Sequence, residues 1–452
     1  MLRKVKYHSL LIVAAGFIFC ALCALQQGAA FGAIIFEVDA DTPVVLAGKH
    51  QNVIVRALVR PGGETIRKRI PLAVALVLDK SGSMGSDGKM ENAKLGALEA
   101  LRRLDAKDVA TVIVYDTEAS VKVPAKSVSE MNVFTKAISG IRAGGNTALY
   151  DGVSMGAKQL LPFVSDGYVP RIILLSDGLA NVGPSSTWEL AALGRSLAKQ
   201  DMTISTIGLG LDYNEDLMTA LAAESGGNAY FAKQAESLSG IFARDMLDAT
   251  TLTARKVKVT LTCASGVRPI STIGRKASQK DETSIEVSID NLYGDEKYAL
   301  FEIEIPAPAT EKAAALDAAT LKLEYLDPAT ESVVVFKAPL KLTPVTDEGE
   351  IESNRRFDII SQAEIARNAE AREEAVRLAD EGRSDEAAKI LQTRASNARA
   401  KMAPSPMKSE IESDAQDLES LSETLIEQKN MSNETRKSVV NEAYRQKNQQ
   451  VK

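Results

Sequence analysis

An uninterrupted run of apolar residues, Leu72–Leu78, ends in the polar stretch Asp79-Lys80-Ser81-Gly82-Ser83. A strand that is apolar at every position is typical of a parallel sheet whose two faces are both covered by helices. Val109–Tyr115, Ile172–Leu175 and Thr203–Leu209 are similar runs, and amphipathic helical patterns separate them. This alternation predicts an α/β domain with a doubly wound, mostly parallel sheet.

Further elements complete the predicted domain. We expect two short strands at Ala119–Val123 and Ala229–Phe231. Thr147 precedes a helical pattern, and we expect its hydroxyl to cap that helix. The predicted helices are Met90–Leu104, Val128–Ile138, Ala148–Leu161, Leu190–Lys199 and Asn214–Ala223.

Three groups of oxygen-bearing residues fall at the same edge of the predicted sheet. Asp79 ends the first strand, with Ser81 and Ser83 two and four residues further on, and Asp177 ends a neighbouring strand. Thr147 follows Gly144-Gly145, which lets its loop approach closely. Ligands of such sheets bind beyond the carboxyl ends of the strands. An all-oxygen set with two carboxylates suits Mg²⁺ best and disfavours Ca²⁺, although the motif alone does not separate Mg²⁺, Mn²⁺ and Ca²⁺.

The order Asp-x-Ser-x-Ser, Thr, Asp resembles the metal-ion-dependent adhesion site of von Willebrand factor type A domains. The chain from about Leu72 to about Thr250 is similar to such a domain throughout. The resemblance implies that the metal is coordinated directly by the three hydroxyls, and directly or through water by the two carboxylates. It also implies that the open metal position takes a Glu or Asp side chain of a partner protein. The implied metal ligands are Asp79, Ser81, Ser83, Thr147 and Asp177.

Other residues near this edge could support the metal site or have unrelated structural roles. Asp116 could support the metal site or simply occupy a turn, and Asp151 could do so or interact with the amino end of a helix. We expect Lys80 to point away from the site and Asn181 to shape the adjoining loop. For Trp188, the only tryptophan, packing at the start of a helix is a simpler role than anchoring a partner.

Segments on both sides of this domain have β-type patterns. Residues 33–70 contain short strands, and residues 251–346 contain alternating apolar and polar residues that suggest an antiparallel sandwich. We expect the α/β domain, residues 71–250, to be inserted between the two halves of that sandwich. The strands predicted after the α/β domain are Val257–Leu261, Ile285–Ile289, Ala299–Ile305, Leu321–Tyr325 and Val333–Phe336.

The C-terminal region is helical and highly charged. Residues 351–402 predict a helical hairpin, and residues 403–452 predict a helical, partly disordered tail that loses order after Arg445. We expect the Glu- and Lys-rich helices to present solvated faces. Such a hairpin needs a neighbour to bury its apolar side, which the sandwich or a partner could provide.

The first 32 residues resemble an export signal. Arg3, Lys4 and Lys6 precede the apolar run Ser9–Leu25, and small residues follow. This predicts a signal peptide cleaved after Ala30 or Gly32, or a retained membrane anchor. Either form places the rest of the chain outside the cytoplasm, in the periplasm, secreted or anchored to the membrane.

Composition narrows the function classes. The net charge of −6 argues against nucleic-acid binding, and His8 and His50 are the only histidines, which disfavours His-based catalysis. Beyond the leader, Cys263 is the only cysteine, so no internal disulfide can form. We therefore expect a non-enzymatic, metal-dependent protein-binding module. The alternatives are an envelope scaffold that binds through its β or helical regions and, less favoured, a metal-assisted hydrolase.

Overall fold

The computed structural model describes residues 29–31, 34–62, 69–307, 315–401 and 407–450. The predicted leader lies outside the described residues, apart from a three-residue strand at its end. None of the helices in the described part of the chain has the length and apolar character needed to cross a membrane. The strands that precede the α/β domain are β1 (Ala29–Phe31), β2 (Ile34–Ala40), β3 (Val44–Leu46) and β4 (Gln51–Pro61).

The α/β domain is built on one six-stranded sheet. All of its strands are parallel except β7, which pairs antiparallel with β6 at one edge. In sheet order, the strands are β10 (Ala229–Ala232), β9 (Thr203–Leu209), β8 (Val169–Ser176), β5 (Leu72–Asp79), β6 (Val109–Tyr115) and β7 (Ala119–Ser127). The prediction of a doubly wound, mostly parallel sheet is confirmed.

Helices cover both faces of this sheet, which explains why β5 is apolar at every position before Asp79. Leu72, Val74 and Leu76 face one helical layer, and Ala73 and Ala75 face the other. The first layer contains α1 (Lys89–Arg102), α2 (Met131–Ser139) and α6 (Leu238–Thr250). The second layer contains α3 (Leu149–Ser165), α4 (Thr187–Ala198) and α5 (Glu215–Ser225).

The flanking β-structure forms a sandwich of two antiparallel sheets around one apolar core. β4, from before the α/β domain, lies between β2 and β15 in the five-stranded sheet. β3 is the exception to the antiparallel rule, since it pairs parallel with β17 at the edge of the other sheet. The later strands are β11 (Ala254–Cys263), β12 (Arg268–Ile273), β13 (Ala277–Gln279), β14 (Ser284–Leu292), β15 (Lys297–Ile305), β16 (Leu316–Asp327) and β17 (Ser332–Val345).

In the described part of the chain, five helices follow the sandwich, and the longest of them packs onto it. Ile359 and Ala363 of the longest helix contact Ile273 and Leu300 on the outer face of the five-stranded sheet. The helices are α7 (Glu348–Ser353), α8 (Phe357–Asp380), α9 (Ser384–Ala400), α10 (Lys408–Gln428) and α11 (Asn433–Asn448).

These helices expose many of their charged side chains, as expected, but some of their charges lie inside. Glu364, Arg372, Asp414 and Lys437 are all buried, because each charge has a partner of opposite sign within the molecule. Arg372, for example, bonds to Asp414 at 2.5 Å. Alternation of charges along a helix therefore did not reveal which of them lie inside.

The prediction that order is lost after Arg445 is wrong as far as Gln450, where the described residues end. α11 continues to Asn448, and Gln449 exchanges two hydrogen bonds with the main chain of Tyr298 in β15 at 2.8 and 3.0 Å. At its other end, Arg436 bonds to Glu215 of α5 at 2.5 Å. The last helix therefore connects the α/β domain to the sandwich.

Candidate metal centre

The two aspartates of the candidate site lie at the carboxyl ends of adjacent parallel strands. Asp79 is the last residue of β5, and Asp177 directly follows β8. Leu78 is paired with Leu175, so the register brings the two ends to the same level. Both aspartates are fully buried. The site therefore lies where the chain order of the strands reverses around β5, the usual ligand position in such sheets.

The Asp79 carboxylate is held by two hydrogen bonds. Its Oδ1 accepts from the main-chain N–H of Ser81 at 2.8 Å, and its Oδ2 accepts from Ser176 Oγ at 2.8 Å. Burial raises the pKa of the Asp79 carboxyl to about 6, with a further contribution from the Asp177 charge. Ser176 was not singled out by the sequence analysis. Its position next to Asp177, as a polar residue ending an apolar strand, was the available signal.

The Asp177 carboxylate is also bonded through both oxygens. Its Oδ1 accepts from Ser83 Oγ at 2.7 Å, and its Oδ2 accepts from Lys89 Nζ at 2.8 Å. Ser81 Oγ lies 3.1 Å from Ser83 Oγ, so the two serine hydroxyls are adjacent. Lys89 was missed by the sequence analysis. A cation at the first position of a helix is electrostatically unfavourable, and this is a signal that Lys89 has another partner.

Thr147 joins this group from the opposite loop. Main-chain hydrogen bonds connect the two loops, from Gly82 N to Gly145 O at 3.0 Å and from Gly144 N to Lys80 O at 2.7 Å. A Cβ added to Gly178 would lie 3.5 Å from Ser83 Oγ and 3.8 Å from Thr147 Oγ1. Both hydroxyls therefore lie within 4 Å of the same point beside Gly178.

The expected helix-capping role of Thr147 is wrong. The residue at the cap position of α3 is Ala148, and no side chain caps this helix. The main-chain N–H of Thr147 instead donates to Asn181 Oδ1 at 2.9 Å, so Asn181 fixes the loop as its position suggested. Gly145 has a φ of +84° and lies against Asp116, which explains the need for glycine there.

The remaining acids of this edge have other surroundings. Asp116 forms an ion pair with Lys80, and its Oδ1 accepts from the Glu118 amide at 3.2 Å. Asp151 is exposed in the first turn of α3. Lys80 thus interacts with Asp116, and neither acid is placed among the five oxygen-bearing residues.

The arrangement fits a hard divalent cation. Two carboxylates and three hydroxyls converge, and all are oxygen donors of the kind that Mg²⁺ accepts. Within the described ranges, no cluster of three or more His, Cys, Asp or Glu residues could hold a metal ion. The candidate site differs in kind from such clusters because hydroxyls supply most of its donors.

Trp188 does not pack at the start of its helix as expected. Its side chain is 73% exposed in the first turn of α4. Since α4 follows β8, this end of the helix lies at the same edge of the sheet as the two aspartates. An exposed indole adds an apolar surface to this edge.

A family model described as "von Willebrand factor type A domain" matches residues 73–244. Over 173 residues the chain is 33% identical to protein sll0103 of Synechocystis, which covers 38% of this chain and 40% of that protein. Over 169 residues it is 31% identical to human inter-alpha-trypsin inhibitor heavy chain H4, which covers 35% of this chain and 18% of that one. The matches therefore span less than half the length of these relatives.

Two solved structures are similar over most of the chain. A von Willebrand factor type A protein from Catenulispora acidiphila aligns with a TM-score of 0.64 and 15% identity, covering 88% of this chain and 98% of that one. The ArnB paralog VWA2 from Sulfolobus acidocaldarius aligns with a TM-score of 0.58 and 19% identity, covering 92% and 98%. At these identities the similarity concerns the fold, including the flanking sandwich and helices.

Proposed function

Residues 73–244 of this chain form a von Willebrand factor type A domain, and from that premise we propose a metal-dependent protein-binding function. The domain would bind Mg²⁺ through Asp79, Ser81, Ser83, Thr147 and Asp177. The bound ion would capture an Asp or Glu side chain of a partner protein. We propose that it does so outside the cytoplasm, as the sequence of the leader suggests.

The observation that carries this proposal is the convergence of the five side chains at one sheet edge. The hydroxyls of Ser81 and Ser83 lie 3.1 Å apart, and Ser83 donates to Asp177 at 2.7 Å. The same oxygens that now bond to one another would turn toward a cation. A bound Mg²⁺ would supply Lewis acidity and a position for one further oxygen ligand.

The donor set also explains why the further ligand would be anionic. Hydroxyls are neutral donors, so the two carboxylates only balance the charge of a divalent ion. Lys89 bonds to Asp177 at 2.8 Å and places an additional positive charge next to the ion. A carboxylate from outside then meets a net positive centre.

We propose no catalytic role for this site. Metal-assisted hydrolysis needs a general base within reach of the metal-bound water. Asp116 and Asp151 are the candidates for that role in the sequence. Asp116 is ion-paired with Lys80, and Asp151 is exposed in the first turn of α3. His50 is exposed before β4, in the sandwich. A binding module is the function that this arrangement supports better.

A pull-down from an envelope extract with the protein from Phe31 onward tests the proposal. It is run with Mg²⁺, with a chelator, and with the Asp79→Ala variant. We expect a partner that is retained with Mg²⁺ and lost in the other two lanes. The control is Asp166→Ala, which removes an exposed acid at the far end of α3 and should retain the partner.

The same experiment distinguishes the metal-dependent function from the envelope-scaffold alternative. A partner retained in all lanes would assign binding to the sandwich or the helices and make the metal site structural. Calorimetric titration with Mg²⁺ accompanies the pull-down, and it should show one binding event that Asp79→Ala abolishes. A wild-type protein that does not bind Mg²⁺ would contradict the proposed function directly.

A further inference from the structure

A groove of about 550 Å³ begins at the candidate metal centre and runs toward the C-terminal helix. Ser81, Ser83 and Thr147 line one end. Asn433 and Lys437 of α11 line the other end. The metal centre and the helical region therefore border one continuous surface.

The far wall of this groove is firmly attached to the α/β domain. Lys437 is buried, forms an ion pair with Glu215, and donates to the main-chain oxygen of Tyr213 at 2.6 Å. Its ammonium group also lies 4.4 Å from the centre of the Tyr213 ring, a cation–π contact. These contacts hold the Lys437 side chain against the α/β domain. α11 therefore forms a fixed wall of the groove.

Two leucines give the groove an apolar side. Leu179 follows β8 and Leu211 follows β9, and both line the groove. Their exposed fractions are 58% and 38%. Large apolar side chains exposed together beside a polar centre are a feature of protein-interaction sites.

The charges of the groove distinguish between kinds of anionic ligand. Its metal end would be positive when the ion is bound, because Lys89 adds a charge to an otherwise balanced site. Its other half carries Asp212 and the ion pair of Glu215 with Lys437, so it offers no net positive charge. A polyanion such as a nucleic acid would find no cation there for its further charges, whereas a single carboxylate at the metal end needs none.

We propose that the groove binds an extended segment of the partner in which an acidic residue has a large apolar neighbour. The carboxylate binds the metal ion, and the apolar side chain packs against Leu179 and Leu211. The amides of Asn146, Asn181 and Asn433 line the same groove and suit hydrogen bonding to a peptide main chain. The inference rests on the proposed function and adds the local sequence that the partner must present.

Selection from a displayed library of random peptides tests this inference. The bait is the protein from Phe31 onward, in the presence of Mg²⁺. We expect the recovered peptides to contain Asp or Glu with Leu, Ile, Met or Phe within a few positions. Replacing that apolar residue by Ala in a synthetic peptide should weaken binding about tenfold, as expected for loss of a largely buried side chain. The same loss should follow from the double change Leu179→Ser and Leu211→Ser.

A matched control checks that exposed leucines in general are not responsible. Leu95 is also 58% exposed, but it lies on α1 and does not line the groove, so Leu95→Ser should leave peptide affinity unchanged. The Mg²⁺-induced rise in melting temperature shows whether each variant is folded and binds the ion.

The outcomes distinguish the two proposals. Peptides that need Mg²⁺ and an acid, but show no apolar preference, would overturn the groove inference and leave the metal-dependent function standing. Peptides that are recovered equally well with a chelator would contradict the proposed function. An apolar preference that the double leucine variant retains would place the apolar contact elsewhere and also overturn the inference.

Discussion

Asp79 and Asp414 are both buried aspartates, but their surroundings differ. Asp414 is 6% exposed in the helical region and accepts from Arg372 at 2.5 Å, Asn368 at 2.6 Å and Gln446 at 2.8 Å. Asp79 is fully buried at the sheet edge, where its hydrogen bonds come from an N–H group and a serine hydroxyl. Asp414 is therefore neutralised by a neighbouring cation, whereas Asp79 is a buried charge for which the proposed metal would be the counterion. The comparison separates a carboxylate that maintains the fold from one that the proposed function assigns to a metal ion.

The largest expected effect concerns the structural member of this pair. Asp414→Ala leaves the buried guanidinium of Arg372 without its counterion, so we expect a loss of about 3–5 kcal/mol in the unfolding free energy. Urea denaturation followed by helical circular dichroism measures this loss. The double variant Arg372→Met, Asp414→Leu should recover most of it, because it removes both charges together. A loss of less than about 1 kcal/mol in the single variant would contradict the structural role.

The second prediction concerns Asp79→Asn, which we expect to change stability relative to the wild type in opposite directions without and with metal. In metal-free protein, Asp79→Asn removes a buried charge and should leave stability unchanged or raise it by up to about 2 kcal/mol. Saturating Mg²⁺ should stabilise the wild type by about 3 kcal/mol at one hundred times the dissociation constant, and should leave the variant unaffected. Thermal unfolding with Mg²⁺ and with a chelator measures both effects. Destabilisation of the metal-free variant as large as that of Asp414→Ala would remove the distinction between the two aspartates.

The smallest predicted effect concerns pH and the contact of α11 with the α/β domain. Burial alone would raise the pKa of Glu215, but hydrogen bonds from Lys437 and Arg436 outweigh it and hold the pKa below the ordinary value of 4.5. A carboxyl with a lowered pKa contributes stability that is complete above 4.5 and is lost as the pH falls through the value in the folded protein.

We therefore expect the protection of α11 amides against hydrogen exchange, measured relative to the unfolded chain at the same pH, to decrease on acidification below pH 4.5. Glu215→Gln should remove this acid-dependent step, whereas Glu434→Gln, which affects the exposed pair with Lys233, should not. An acid response that is unchanged in the Glu215 variant would assign the titration to another group.

The α/β domain was the most predictable part of the chain. The continuous apolar strand β5 and its neighbours predicted the parallel sheet, because a strand that is buried on both faces is apolar at successive positions. The same reasoning placed Asp79 and Asp177 at one edge of the sheet. The assignment of these residues as metal ligands stays a prediction.

Contacts between distant side chains were less predictable. Lys89 and Ser176 interact with the two aspartates through the tertiary structure, and no local pattern requires these contacts. Trp188 is exposed, which is contrary to the expectation that it packs at the start of its helix. The buried charges of the helical region were missed for a related reason, since a helix sequence shows which residues are charged but not which ones have partners.

The position of β4 between β2 and β15 has a consequence for the order of folding. The apolar strands β2 and β4 are synthesised first, but β15 follows only after the complete α/β domain. The α/β domain can therefore close its own sheet while the early strands still lack this partner. Pairing over such a sequence distance is slow and leaves strand edges open to aggregation. Refolding of the whole chain should accordingly be limited by completion of the sandwich, even when the α/β domain has already become native.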